Sequence, residues 1–104
     1  MVYVKSFRDL DVYKLAREVS REIFIMSQEF PKEERYSLTD QIRRSSRSVG
    51  AQIAEAWGKR RYELHFISKL TDADSEQLET QHWIEISEES GYINSEKSKN
   101  LLQK

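Results

Sequence analysis

Turn-forming residues are scarce in this chain, which has only one proline and three glycines among its 104 residues. Proline and glycine are the strongest breakers of regular structure, so a chain with so few of them folds into long elements. No stretch alternates apolar and polar side chains for long enough to indicate a buried strand. Apolar residues instead recur every three or four positions, which is typical of amphipathic helices. We therefore expect an all-α protein.

The first two helices can be bounded from the sequence. The first covers about residues 9–29 and ends before Pro31, because proline disfavours helical geometry in the residue that precedes it. The second extends to about residue 58 and begins after Ser37, a favourable N-cap residue. Asp40 lies three residues later, as in a capping box.

The third helix covers roughly residues 62–90, with Gly91 as its C-cap. Ser95 can start a short fourth helix that offers only Leu101 and Leu102 as apolar residues. Three long helices plus a short fourth, joined by short connections, indicate an antiparallel up-down bundle. Residues 1–104 are expected to form this single four-helix-bundle domain. A short fourth helix leaves apolar surface for another subunit to cover, so we expect a homo-oligomer.

Charge is distributed unevenly along the chain. Residues 1–61 carry 13 Lys/Arg and nine Asp/Glu, whereas residues 62–104 carry four and nine. A chain with a basic and an acidic half can pair with itself or offer its basic part to a polyanion.

Cysteine is absent, which excludes disulfides and thiolate chemistry. The N-terminal stretch is too charged for a signal peptide or a membrane span, so we expect a cytoplasmic protein without membrane contact.

Small residues recur at steps of four on the second helix, at Gly50, Ala54 and Gly58. Such a line allows close approach of another helix. A glycine within a helix costs about 1 kcal/mol relative to alanine, which suggests that position 50 serves a contact. The alternative is that alanine is simply a good helix former and Gly58 a C-cap. Trp83 lies outside the core stripe of the third helix and suits a subunit contact. The candidate oligomer interface is therefore Gly50, Ala54, Gly58 and Trp83.

Two basic clusters lie on and after the second helix. The first comprises Arg43, Arg44 and Arg47, and the second Lys59, Arg60 and Arg61. These cations either bind the phosphates of a nucleic acid or form ion pairs with the acidic third helix of a neighbouring subunit. A third alternative is that they form a solvated surface, as surface arginines commonly do.

No motif points to an enzyme or a cofactor. Glu79 and His82 have the Glu-x-x-His spacing of di-iron bundles, but such a site needs two of these motifs. The other histidine, His65, follows Tyr62 at that spacing, so we expect no metal. A site built across subunits is the remote alternative. A nucleophile elbow and a phosphate-binding glycine loop are both absent from the sequence.

Polar residues interrupt the apolar stripe of the third helix at Gln77, Thr80 and Gln81. Buried polar groups must be hydrogen-bonded, or they cost a few kcal/mol. The pattern predicts a polar layer inside the bundle that fixes the register of the helices.

The segments FRDLDVYKLA, FPKEERYSLTDQIRRSSRSVGAQIAEAWGKR, ETQHWIE and GYI occur in this order over about residues 7–93. The chain thereby resembles the 23S rRNA intervening-sequence proteins, also called four-helix-bundle proteins. Their relatives include the accessory variability protein of diversity-generating retroelements. The resemblance implies an up-down four-helix bundle that assembles into a homopentamer with a central channel. Some relatives resemble nucleic-acid binders that cooperate with a reverse transcriptase, so the resemblance offers RNA or DNA and a reverse transcriptase as partners.

Particular positions carry the family's basic residues. Arg43, Arg44 and Arg47 match its basic pair and surroundings, and residues 59–61 fall where the family is often basic. This chain departs from the family pattern Asn-Ile-Ala-Glu-Gly, which here reads Gln-Ile-Ala-Glu-Ala at residues 52–56. The short fourth helix is a second departure.

These observations predict a non-enzymatic homo-oligomer, a pentamer by resemblance, whose helix-two arginines contact the backbone of RNA or DNA. The alternative is an oligomeric scaffold that binds another protein and uses the same arginines for intersubunit ion pairs.

Overall fold

The computed structural model describes residues 4–104, and this part of the chain contains four α-helices. Short 3₁₀ turns precede α1 and α2 at Phe7–Asp9 and Lys32–Glu34. The all-α class and the short fourth helix are confirmed. The helices are α1 Asp11–Ser27, α2 Leu38–Gly58, α3 Glu63–Glu89 and α4 Ser95–Leu102.

Helix α2 lies at the centre, with α1 along one side and α3 along the other. The contacts run antiparallel: the start of α2 meets the end of α1, where Arg43 bonds Ser27. Lys69 near the start of α3 reaches Glu55 near the end of α2. Helix α4 returns along α3, and the chain end reaches the middle of α1. The fold is therefore an up-down bundle whose fourth helix is much shorter than the other three.

The hydrophobic core is concentrated at one end of the bundle, where α1 and α3 end and α2 and α4 begin. Serines are buried between the helices alongside the apolar residues. Their hydroxyls donate to carbonyl oxygens of the same helix: Ser27 to Phe24, and Ser87 to Trp83. Their size allows the helices to approach closely without leaving unpaired hydroxyls. The core cluster consists of Ile23, Phe30, Leu38, Ile42, Ile84 and Leu101.

The predicted polar layer is present at only one of its three positions. Thr80 is buried, and its Oγ1 lies 2.9 Å from both Ser45 Oγ and the carbonyl oxygen of Glu76. Gln77 is exposed and Gln81 half-buried, because both turn toward the open side of α3. The polar layer therefore consists of one hydrogen bond between the hydroxyl of Thr80 on α3 and the hydroxyl of Ser45 on α2.

The N-terminus of α2 is capped differently from the prediction. Ser37 makes no capping bond. Its hydroxyl instead donates to the Glu34 carboxylate, which also accepts the Leu38 backbone N–H at 3.4 Å. The same carboxylate accepts the Tyr92 hydroxyl at 2.8 Å and so connects the loop before α2 with the loop after α3. The hydrogen bonds from Ser37 and Tyr92 hold the pKa of Glu34 below its usual range.

The end of α3 follows the prediction. Gly91 has a φ of 79°, which favours glycine, and Tyr92 N–H bonds the Ser87 carbonyl oxygen at 3.0 Å. Asn94 then caps α4 by accepting the Lys97 N–H at 2.8 Å. Over residues 4–104, none of the helices combines the length and the apolar character needed to cross a bilayer.

Candidate nucleic-acid interface

Arg43 is the best-oriented of the predicted binding residues. Its Nε donates to Ser27 Oγ at 2.7 Å, and Ser27 is buried. The guanidinium carbon lies 4.7 Å from the centre of the Phe24 ring. Over the described residues, the outer Nη groups of Arg43 have no protein acceptor. The side chain is thus fixed at its inner edge and free at its outer edge.

Arg47 lies one helical turn further along α2 and uses the same ring. Its guanidinium carbon is 5.3 Å from the centre of Phe24. A guanidinium over an aromatic face gains about 0.5–1 kcal/mol at an exposed site. In the part of the chain that the structure describes, neither arginine forms a salt bridge. Phe24 therefore holds two unneutralised cations side by side.

An open cleft at the corner between α1 and α2 brings further cations to Arg43. Its volume is about 460 Å³, and Lys32 and Arg35 line it together with Arg43 and the hydroxyl-bearing Thr39. Among residues 4–104, no acidic side chain lines the cleft. The loop after α1 thus places Lys32 and Arg35 beside Arg43, just before the start of α2.

A second hollow, of about 390 Å³, lies beside Arg47 on the same surface. Arg17 of α1 faces Arg47 across it, and Arg17 Nη1 donates to the Tyr13 hydroxyl at 3.1 Å. In the described part of the chain, the hollow has no acidic lining either. We call the surface formed by the cations of the cleft and the hollow the basic face. Its members are Arg17, Lys32, Arg35, Arg43 and Arg47.

Sequence reasoning missed Arg17, Lys32 and Arg35, because they are neither clustered nor adjacent to the α2 arginines in the sequence. One signal was present on α1, where Arg17 and Arg21 alternate with Glu18 and Glu22 at four-residue spacing. On a helix this arrangement places the cations on one side and the carboxylates on another.

Arg44 does not belong to the basic face. Its guanidinium forms salt bridges with Glu76 and Glu79 of α3 in the same chain. The Trp83 indole N–H also donates to Glu79 at 3.0 Å. The Trp83 bond and the Arg44 guanidinium lower the pKa of Glu79, and the bond to Glu79 raises the pKa of Arg44. The pairing of Arg44 with acidic α3 side chains, considered above between subunits, is thus made within one chain.

The second predicted cluster lies at the other end of α2, roughly 24 Å from Arg43 at 1.5 Å per residue. Arg60 covers the Trp57 ring at 4.2 Å and donates to the Trp57 carbonyl oxygen at 2.9 Å. Lys59 and Arg61 are exposed. The structure therefore does not bring the two predicted clusters together.

The predicted interface residues occupy different environments. Gly50 is buried against α1, where a Cβ would lie 3.6 Å from Tyr13 and 3.9 Å from Ala16. Gly50 therefore contacts α1 within the chain, at distances that would accommodate an added Cβ. Ala54 is half-buried, and Gly58 is exposed, with nothing within 4 Å of an added Cβ. Trp83 is half-buried beside the hydrophobic core. A subunit contact through these residues stays a prediction.

Glu79, one of the two residues with di-iron spacing, is held by Arg44 and Trp83. Among residues 4–104, no group of three or more histidine, aspartate or glutamate side chains is arranged to hold a metal ion.

The comparison with protein families agrees with the resemblance noted in the sequence. The model of the family described as 23S rRNA-intervening sequence protein matches residues 8–104. No curated protein matches the chain significantly. Because the family match covers nearly the whole chain, and the structure has the helical bundle that the resemblance implies, this protein belongs to the 23S rRNA-intervening sequence protein family.

Proposed function

We propose that this protein binds the sugar-phosphate backbone of RNA or DNA through its basic face, without reading the base sequence and without a catalytic step. The observation that carries the proposal is the pair of arginines on Phe24. Arg43 and Arg47 are held by an aromatic ring, and neither has an acidic partner among the described residues.

The arrangement suits phosphate recognition for two reasons. A guanidinium presents paired N–H donors that match phosphate oxygens, and Arg43 keeps its outer donors free. Its contacts with Ser27 and Phe24 already restrict the side chain, so less conformational entropy is lost on binding.

Base recognition is not supported by the aromatic rings that line the cleft and the hollow, and Tyr36, which is 87% exposed beside Arg35, lines neither. Proteins that read single-stranded bases stack them on exposed aromatic faces. The Phe24 ring already contacts the guanidinium groups of Arg43 and Arg47. The Tyr13 ring packs against Phe7, with ring centres 4.9 Å apart. Contacts with the backbone alone position a protein on a nucleic acid without sequence information.

Assembly into a homo-oligomer is part of the proposal, with the pentamer implied by the family resemblance as the expected state. Large apolar side chains on α3, including Leu64 and Leu78, are exposed in the single chain. Several copies in one ring would multiply the phosphate contacts. Gly58→Leu tests the small-residue stripe without disturbing the chain itself, and a native mass unchanged by this variant would exclude Gly58 from the interface.

The second candidate function is an oligomeric scaffold that binds another protein, of which a reverse transcriptase is the example that the family resemblance offers. The observation that favours it is Arg44, an α2 arginine that pairs with two glutamates of α3. In that case Arg43 and Arg47 would bind carboxylates of a partner rather than phosphates.

Binding of a labelled structured RNA, titrated from about 50 to about 200 mM salt, separates the candidates. Each lost phosphate contact lowers the slope of log affinity against log salt by about 0.7–0.9, so Arg43→Ala/Arg47→Ala should reduce it by about 1.5. The matched control is Lys59→Ala/Arg61→Ala, which removes the same charge beyond the end of α2 and should keep the slope. Equal slopes for the two double variants, or no binding at the lowest salt, would contradict the proposal.

A further inference from the structure

Tyr36 is an exposed aromatic residue just before the start of α2. It is 87% exposed, a larger fraction than that of any other large apolar or aromatic residue among residues 4–104. Arg35, the residue before it, lines the cleft of the basic face. Consecutive Cα atoms are only about 3.8 Å apart, so the tyrosine lies at the edge of that cleft. An aromatic ring is therefore in contact with water next to the proposed phosphate site.

The backbone that carries Tyr36 is held by hydrogen bonds on both sides of this residue. The Ser37 N–H donates to the Glu34 carbonyl oxygen at 3.1 Å and so closes a turn around position 36. The Glu34 carboxylate also accepts the hydroxyls of Ser37 and Tyr92. Because these bonds already fix the turn, little further backbone freedom is lost when a ligand contacts the ring.

Three acidic residues lie close to Tyr36 in the sequence. Glu34 is engaged by the hydrogen bonds described above, whereas Glu33 and Asp40 are exposed, and none of the three lines the cleft. Exposed carboxylates repel phosphates, so the surface that attracts the backbone ends at Arg35. The surroundings of the ring therefore favour an uncharged, flat group over a further phosphate. In a nucleotide, that group is the base.

The rest of the basic face is a groove with cations on both sides. Arg17 of α1 faces Arg47 of α2 across the hollow. Arg43 and Arg47 are separated along α2 by about 6 Å, which is comparable to the spacing of neighbouring phosphates in one strand. Packed helices lie about 8–10 Å apart, so cations on both sides can surround a single sugar-phosphate backbone but not a duplex. Small residues keep the hollow open between the two arginines: Ala16, Gly50, Ala51 and Ala54.

We propose that the nucleic acid on the basic face is single-stranded where it contacts the protein, and that one of its bases stacks on Tyr36. This inference rests on the proposed function, since the base reaches the ring only when the adjoining phosphates lie on the basic face. Proteins that bind single strands combine a cationic groove for the backbone with exposed rings for the bases. The bases of a duplex are paired and stacked on one another, whereas the loops and ends of a structured RNA offer free bases. Stacking accepts every base, so the contact selects a single strand without reading its sequence.

The first test compares two forms of one fluorescein-labelled RNA by anisotropy at a fixed salt concentration. The RNA has a mixed sequence without self-complementarity and about 20 nucleotides, more than the roughly 4–16 that single-strand binding folds cover. It is used alone and annealed to its complement. The single strand should bind at least about fivefold tighter, a difference of about 1 kcal/mol. Charge alone would favour the duplex, because its higher charge density releases more counterions for each phosphate contact.

The second test places the base on the ring. Tyr36→Leu keeps an apolar side chain without an aromatic face, and it should weaken single-strand binding at least about fivefold. Its salt slope and its affinity for the duplex should equal those of the wild type, because no cation is removed. Tyr36→Phe should restore the affinity. The matched control is Tyr62→Leu, which removes an exposed tyrosine beside the second basic cluster and should bind as the wild type does. Far-UV circular dichroism and thermal unfolding confirm that each variant is folded.

Three results would overturn this inference and leave the proposed function in place, provided that Arg43→Ala/Arg47→Ala still flattens the salt slope. The first is a duplex that binds as tightly as the single strand. The second is an unchanged single-strand affinity in Tyr36→Leu. The third is a native mass that falls to that of the monomer in Tyr36→Leu, which would assign the ring to a second copy of the chain. No binding of either RNA at the lowest salt would overturn the proposed function and this inference together.

Discussion

Replacing Phe24 by leucine tests whether the ring orients the two arginines of the basic face. The guanidinium carbons of Arg43 and Arg47 lie 4.7 and 5.3 Å from the ring centre, both within the roughly 6 Å over which such contacts act. Leucine keeps an apolar side chain at this half-buried position but removes the aromatic face. Both side chains then become freer in the unbound protein, although Arg43 keeps its bond to Ser27.

The expected effect on binding follows from the entropy lost when these side chains are fixed. Immobilising one long side chain costs about 0.5–1.5 kcal/mol. At the lower limit, two side chains cost about 1 kcal/mol, which is about a fivefold loss of RNA affinity. Both cations remain present, so the number of phosphate contacts and the salt slope should not change.

The assay is RNA binding by fluorescence anisotropy at several salt concentrations, with thermal unfolding as a check on folding. Phe24→Tyr retains an aromatic ring and should keep the wild-type affinity. An unchanged affinity in Phe24→Leu would refute the orienting role of the ring. A flatter salt slope would also contradict the reasoning, because it would mean that phosphate contacts themselves are lost.

Two further predictions concern stability. The pKa of Glu34 is lower in the folded protein than in the unfolded chain, where it is about 4.3. Ionised Glu34 therefore stabilises the fold above the unfolded-state pKa. This stabilisation is lost as the pH falls through the pKa of the folded protein. The unfolding temperature of the wild type should therefore fall more steeply below about pH 4 than that of Glu34→Gln, and parallel curves would contradict this. Gly50→Ala should raise the free energy of unfolding by about 0.5–1 kcal/mol in urea, because the added Cβ meets Tyr13 at an ordinary 3.6 Å. A loss of stability would contradict this prediction, because it would mean that the added Cβ clashes with α1.

The helices were predictable because their signals are local. Apolar spacing, the proline after α1 and the glycine after α3 each act within a few residues of the helix they delimit. Gly91 adopts the left-handed conformation expected of a C-cap. The capping of α2 was not predictable, because it depends on the 3₁₀ turn that brings Glu34 to Ser37 and on Tyr92, 58 residues later in the chain.

The candidate site was predictable only in part. Arg43 and Arg47 are close in sequence and were identified, but the partners that define their environment lie elsewhere. The ring of Phe24 and the salt bridges that neutralise Arg44 depend on how α1 and α3 pack against α2. Tertiary packing thus separates three arginines that are equivalent in the sequence into two accessible cations and one paired cation.

The most direct test of the central claim is to locate a bound nucleic acid on the protein surface. Chemical modification of arginine and lysine side chains with and without a bound structured RNA, read by mass spectrometry, gives this location. The account predicts protection of the basic face, that is, of Arg17, Lys32, Arg35, Arg43 and Arg47. Protection confined to α3 or to residues 59–61 would contradict it.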